Sequence, residues 1–88
     1  MSIITGDQIR AAKALLRWSG EELARQSGVS LSTIRRVEAH SGIPEVQSVK
    51  TMISLKIALE TAGIEFIGTP DDRPGVRLAS PRKEGSSR

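Results

Sequence analysis

The chain has 88 residues, a formal net charge of +3 and no cysteine. Its length allows one modest core, which must be mainly aliphatic because Trp18 and Phe66 are the only aromatic residues. The sequence excludes a disulfide framework, thiolate chemistry and a membrane-spanning helix, so we expect a soluble cytoplasmic protein without a membrane partner.

The first predicted helix runs from about Gly6 to Arg17. Thr5 and Gln8 have the spacing of a capping box, in which each side chain bonds to the backbone N–H of the other residue. Apolar residues at helical spacing predict the inward face of this helix: Ile9, Ala12, Leu15 and Leu16. Trp18 follows beside leucines, so we interpret it as a packing residue and not as a base-stacking one.

Two short helices are predicted next, joined by a glycine turn. Ser19 and Glu22 again have capping-box spacing, so the first helix begins at about Gly20. Gly28 suits the positive φ that ends this helix, and Ser30 caps the next one. The arrangement is that of a helix-turn-helix.

The second helix of this pair runs from Leu31 to about Ala39 and has two different faces. Ile34 and Val37 fall on one side, which is expected to pack inward. Three polar residues fall largely on the other side: Ser32, Arg35 and Arg36. The pattern predicts an arginine-rich face toward solvent.

Residues 41–47 form a predicted linker, in which Gly42 and Pro44 end the preceding helix. A fourth helix is predicted from about Gln47 to Ala62, followed by Gly63. The remaining predicted elements are two strands at Ile64–Ile67 and Gly75–Leu78, a turn-rich loop at Gly68–Pro74 and a disordered basic tail at residues 80–88.

The fourth helix carries more apolar surface than one core needs. Its apolar residues cover more than half of its circumference: Val49, Met52, Ile53, Leu55, Ile57 and Leu59. We interpret Met52, Leu55 and Leu59 as closing the helical bundle, which leaves Ile53 and Ile57 for the hairpin or a second copy. The alternative that Ile57 is a single exposed aliphatic residue stays open.

The two short helices and their turn contain a characteristic series of residues: Leu23, Ala24, Gly28, Val29, Ile34 and Glu38. In these residues the chain resembles the Xre family of phage-repressor and Cro-like helix-turn-helix proteins, and the resemblance runs from about Thr5 to Gly63. The resemblance implies a mainly α fold, a lambda-repressor-like bundle of about four helices at residues 1–63. The hairpin at 64–79 departs from the fifth helix that is usual in the family. The resemblance also implies an ion pair between Lys13 and Glu38.

The resemblance implies a sequence-specific regulator, with repression as the expected role, whose helix at about 31–39 enters the major groove of double-stranded DNA. The base-reading positions of the family fall on Leu31, Ser32, Arg35 and Arg36, and the expected phosphate contacts fall on Gly20, Ser30 and Thr33. Arginine suits guanine, and an aliphatic side chain suits the thymine methyl group. Either arginine could instead be a surface charge or a phosphate clamp.

The alternative function is a helix-turn-helix protein that acts by binding another protein, as an antiactivator or an antitoxin. Gly20 keeps this alternative open, because many relatives carry a phosphate-binding glutamine at that position. Glycine at a helix N-terminus still exposes its backbone N–H to a phosphate. The DNA-binding interpretation is therefore weakened by Gly20 but not removed.

A homodimer is expected, since one short recognition helix covers few base pairs and two half-sites lie about 34 Å apart. The hairpin edges could pair with their symmetry mates. The expected interface residues lie on the fourth helix and the hairpin: Ile53, Ile57, Ile64, Phe66, Val76 and Leu78.

No pattern of catalytic residues is present in the sequence, so we expect no enzyme, no cofactor and no metal. His40 is the only histidine, and without cysteine it cannot build a usual zinc site. We expect its imidazole at a helix end, near the carbonyl groups. Glu21 and Glu22 are adjacent on a helix and therefore point apart.

Overall fold

The computed structural model describes residues 4–40 and 49–79. Its elements are α1 (Gly6–Leu16), α2 (Gly20–Ser27), α3 (Leu31–Glu38), α4 (Val49–Thr61), β1 (Ile64–Thr69) and β2 (Asp72–Leu78). The mainly helical class with a C-terminal antiparallel hairpin is therefore confirmed. The predicted linker at 41–47, the start of the fourth helix at Gln47 and the tail at 80–88 lie outside the described residues. No helix in the described ranges is both long and apolar enough to cross a membrane.

The predicted caps set the start of the helices. Thr5 Oγ1 accepts from the Gln8 N–H at 3.0 Å, and Gln8 Oε1 accepts from the Thr5 N–H at 2.9 Å, so the capping box of α1 is complete. Ser19 Oγ caps α2 by accepting from the Glu22 N–H at 3.0 Å. The Glu22 carboxylate accepts instead from Arg25 along the same helix, so only the serine half of the second predicted box forms.

One aliphatic core joins the helices to the hairpin. Its buried members are Ile4, Ile9, Ala12, Leu23, Ile34, Val37, Leu55, Ala58, Leu59 and Ile64. Trp18 packs against this core while remaining partly exposed. The inward position predicted for Leu15 is wrong, since its side chain is 44% exposed. Leu15 lies about 60° beyond Ala12 around α1 and misses the stripe that faces the core.

The hairpin contributes to this core. Phe66 lies opposite Val76 in the antiparallel register, and both side chains pack against the core. Ile64 is only 2% exposed. Gln8 Nε2 donates to the carbonyl oxygen of Gly75 at 2.9 Å, which ties β2 to α1. The helices and the hairpin therefore share one core across the boundary predicted after residue 63.

Both strands are longer than predicted. The sequence predicts a loop at Gly68–Pro74, yet only Pro70 and Asp71 separate the strands. The register shifts at Gly68, whose φ of 77° lies in the left-handed region that glycine adopts readily. The turn-forming residues therefore shape a bulge and a tight turn, and most of this stretch belongs to the strands.

Candidate nucleic-acid interface

A three-residue turn, 28–30, joins α2 to α3. Gly28 ends α2 with a φ of 78°, and its N–H donates to the carbonyl of Ala24. A Cβ added at Gly28 would meet nothing within 4 Å, so the positive φ alone favours glycine here. Ser30 then caps α3, with its Oγ accepting from the Thr33 N–H at 3.3 Å.

Helix α3 is anchored by one face and open on the other. Ile34 and Val37 are fully buried in the core. Ser32, Arg35 and Arg36 are exposed, and at about 100° per residue the two arginines lie on either side of Ser32. The structure therefore brings three of the four predicted base-reading residues onto one exposed face.

The fourth predicted base-reading residue, Leu31, packs toward α2. A Cβ added at Gly20 would lie 2.9 Å from Leu31 Cδ1. The Leu31 side chain thus covers the first residue of α2 and is only partly exposed. Gly20 makes room for this contact because it has no side chain, a role that the sequence pattern did not reveal.

Lys13 and Glu38 form the ion pair that the resemblance implied. Lys13 Nζ donates to Glu38 Oε1 at 3.0 Å and lies 2.9 Å from the buried Oε2. The two side chains are 18% and 14% exposed. Arg10 also donates to the backbone carbonyl of Glu38. Two cations of α1 therefore hold the C-terminal turn of α3, where unpaired carbonyls favour positive charge.

The start of α1 also lies directly against the end of α3. A Cβ added at Gly6 would lie 2.0 Å from the carbonyl oxygen of His40 and 2.5 Å from that of Val37. Sequence reasoning missed this close approach, because a glycine at a helix start gives no local signal of a distant neighbour. The His40 imidazole lies at the carbonyl end of α3, as predicted, with Nδ1 3.1 Å from the Arg36 carbonyl oxygen.

The cations of the described residues divide into two groups. Six lie within ion-pair distance of a carboxylate: Arg10, Lys13, Arg25, Lys56, Arg73 and Arg77. Within residues 4–40 and 49–79, the cations without such a carboxylate are Arg17, Arg35, Arg36 and Lys50. Helix α3 carries two of these four. Its exposed face therefore presents positive charge that the described part of the chain does not neutralise.

The three residues expected to contact phosphates differ in the contacts that they already make within the protein. Gly20 lies under Leu31, and only its backbone can face a phosphate. The Ser30 Oγ donates to Thr33 Oγ1 at 2.9 Å, and Arg36 Nη2 donates to the same oxygen at 3.3 Å. These two hydroxyl groups therefore belong to a hydrogen-bonded chain along α3.

The residues expected at the dimer interface differ in how deeply they are buried. Ile64 is buried in the core, and Phe66 and Val76 pack against it, because the hairpin folds onto the helices of its own chain. Ile64 is therefore not the free apolar surface that the sequence suggested. Ile57 and Leu78 remain 56% and 40% exposed, and Ile53 is partly exposed.

A groove of about 400 Å³ lies between α2 and α4. Its lining residues are Gln26, Ser27, Ser54, Ile57, Ala58, Thr61 and Ala62. Ile57 supplies its most exposed apolar side chain, and the other side chains are small or polar. This groove is a concave surface built from residues outside α3.

Neither models of protein families nor curated proteins match the chain. The function is therefore inferred from the geometry and charge of α3 and its neighbours.

Proposed function

We propose that the protein is a sequence-specific DNA-binding regulator, acting as a repressor, which reads the major groove through α3. The observation that supports this most directly is the charge on α3. Arg35 and Arg36 have no carboxylate partner in the described ranges, whereas six other described cations are paired. Unpaired arginines can neutralise phosphates or donate to guanine O6 and N7.

The dimensions of α3 suit this role. Its eight residues span about 12 Å, and its exposed width is that of a single helix, which the major groove admits. Residues near the N-terminus of a recognition helix reach the base edges, which points to Ser32 and the outer part of Leu31. Arg35 and Arg36 diverge around the helix, so they would contact different groups of the duplex.

The proposal includes a homodimer on two half-sites. One helix of eight residues contacts few base pairs, so specific binding needs a second copy about one helical turn away. Ile57 and Leu78 are the expected interface residues that keep exposed apolar side chains in a single chain. They would supply apolar surface for this assembly, and the hairpin edges would supply backbone hydrogen-bonding groups.

The second candidate function is binding of another protein, as an antiactivator or an antitoxin. The groove between α2 and α4 favours it, because Ile57 places an exposed apolar side chain at its wall. A partner that docks in this groove would leave the arginine face of α3 open. The two functions therefore differ in whether they need the arginine face of α3, and substitutions at Arg35 and Arg36 can separate them.

Selection of bound duplexes from a random pool, followed by affinity measurements at several salt concentrations, tests the proposal. Loss of a base-reading arginine should cost about 1–3 kcal/mol at one base pair, and loss of a phosphate contact should flatten the salt slope by about one. Arg35→Ala and Arg36→Ala are the test variants. Arg77→Ala is the control, because Arg77 is paired with Glu65 on the hairpin.

Wild-type affinity in both α3 variants would show that α3 does not enter the groove. Failure of the wild-type protein to enrich any duplex, together with salt-independent weak binding, would reject the DNA-binding proposal and favour the protein-binding one.

A further inference from the structure

The exposed face of α3 carries a chain of hydrogen bonds that ends on one of its two arginines. Ser30 Oγ donates to Thr33 Oγ1 at 2.9 Å, and Arg36 Nη2 donates to the same Thr33 oxygen at 3.3 Å. Ser30 is itself fixed as the N-cap of α3 by the Thr33 N–H. The Arg36 guanidinium is therefore tied through Thr33 to the start of the helix.

The Arg35 side chain differs from that of Arg36 in its contacts. Arg35 is exposed, and its side chain makes no hydrogen bond or ion pair with residues 4–40 or 49–79. Both arginines are exposed and carry the same charge, but within residues 4–40 and 49–79 only Arg36 has a side-chain hydrogen bond.

We infer that Thr33 is a positioning residue for base recognition, whose hydroxyl oxygen orients Arg36 toward a base pair while Arg35 contacts phosphates. The inference rests on the proposed function, since it requires α3 in the major groove. It differs from the phosphate contact expected at Thr33. A phosphate oxygen could accept only the hydroxyl proton of Thr33, whereas the contact with Arg36 uses the oxygen as an acceptor.

The division of roles follows from side-chain entropy and geometry. Ordering a long side chain on binding weakens the complex, and a side chain that is already held loses less freedom. Bidentate recognition of a guanine edge needs a guanidinium in one defined plane, whereas a phosphate accepts hydrogen bonds from many directions. The bond to Thr33 uses one of the five N–H donors of Arg36 and leaves four for a base.

The test measures base preference with Thr33→Val, which keeps the shape of the side chain and removes the hydroxyl. The base pair read by Arg36 is first defined as the position where Arg36→Ala loses preference on the duplex selected by the wild-type protein. Thr33→Val should then lower the preference at that position by about 2- to 10-fold, the cost of ordering one long side chain. Affinity for unrelated duplexes and the salt slope should stay at wild-type values.

Three further variants isolate the effect. Thr33→Ser keeps the hydroxyl and should keep the preference. Thr69→Val makes the same chemical change at an exposed residue of β1 and should change nothing. Thr33→Val combined with Arg36→Ala should bind like Arg36→Ala alone, because the hydroxyl acts through the guanidinium. Thermal unfolding checks each fold, and Thr33→Ala takes the place of the valine variant if the latter does not fold.

Two results would overturn the inference while leaving the proposed function intact. One is an equal loss of affinity for every duplex in Thr33→Val, which would make Thr33 a phosphate contact. The other is full base preference in Thr33→Val despite its loss in Arg36→Ala. A wild-type protein that selects no duplex would instead reject the proposed function, and this inference with it.

Discussion

The side-chain amide of Gln8 on α1 donates to the backbone carbonyl of Gly75 on β2 at 2.9 Å, across 67 positions of sequence. The same amide donates to the carbonyl of Ile67 at 3.3 Å, and its oxygen accepts from the N–H of Thr5 at 2.9 Å. One buried side chain therefore completes a helix cap and holds both strands of the hairpin.

Replacing Gln8 by alanine should destabilise the protein by more than an ordinary helix-cap change. The substitution leaves the buried Thr5 N–H and two partly buried strand carbonyls without this partner, and a buried group left unpaired costs about 1–3 kcal/mol. Urea unfolding measures the effect. Gln26→Ala is the control, since Gln26 is exposed and should cost no more than about 0.5 kcal/mol. Equal stability of the two variants would contradict the bridging role.

The Lys13–Glu38 pair should contribute measurably to stability. A buried pair that loses one partner costs about 3–5 kcal/mol and an exposed pair less than about 1 kcal/mol, so with 18% and 14% exposure we expect about 2–4 kcal/mol for Glu38→Ala. Glu60→Ala is the matched control, because Glu60 is 42% exposed in its pair with Lys56. Unchanged thermal stability of Glu38→Ala would show that the pair contributes little.

Gly6→Ala should destabilise the fold although alanine is the better helix former. The new Cβ would lie 2.0 Å from a backbone oxygen of His40, so α1 must move away from α3, at a cost of about 1–3 kcal/mol. Gly20→Ala occupies the matching position of α2 but meets only the flexible ends of the Leu31 and Lys13 side chains. It should leave the stability nearly unchanged. Scanning calorimetry of the two variants measures the difference. A stabilising Gly6→Ala would show that α1 does not approach α3 this closely.

Arg17→Gly should stabilise the protein. Arg17 follows α1 with a φ of 60°, and this left-handed conformation costs an L residue about 1 kcal/mol relative to glycine. Gly28→Ala should instead destabilise the protein, because Gly28 has a φ of 78°. An added Cβ would meet nothing within 4 Å, so this variant measures the backbone strain alone. Denaturant unfolding of both variants measures the two changes. A loss of stability in Arg17→Gly would mean that the arginine side chain contributes more than its backbone strain costs.

The dimer proposal is best tested with point substitutions. Deletion after Gly63 would remove Ile64 from the core and the hairpin partners of Gln8, so a truncated chain should lose stability as well as assembly. Ile57→Ser and Leu78→Ser change exposed side chains and should keep the helical signal. Sedimentation should then show a monomer with weakened binding to a full operator. A stable dimer in the double variant would place the interface elsewhere.

Local features of the chain were predictable because their causes lie within a few residues. The caps at Thr5, Ser19 and Ser30 and the turn at Gly28 depend on side chains no more than four positions away, and the structure contains each of them. The inward residues of α3 follow from helical periodicity alone. These features define the exposed arginine face.

The features that were missed depend on distant parts of the chain. Position 6 favours glycine because the His40 carbonyl lies close to it, and position 20 favours glycine because Leu31 covers it. The burial of Ile64 with the helical core has a similar cause, because a hairpin sequence does not show which helices its apolar face will meet. Leu15 was misplaced because a stripe of apolar residues extends past the edge of the core.

The bridge made by Gln8 also has a kinetic consequence. Because one amide side chain holds the first turn of α1 and both strands, these distant segments should open in the same fluctuation. Amide protons of the hairpin should therefore exchange with solvent hydrogen at rates that follow those of the first turn of α1. The hairpin should also pack against α1 late in folding. The contact between Gln8 and Gly75 joins residues separated by most of the polypeptide.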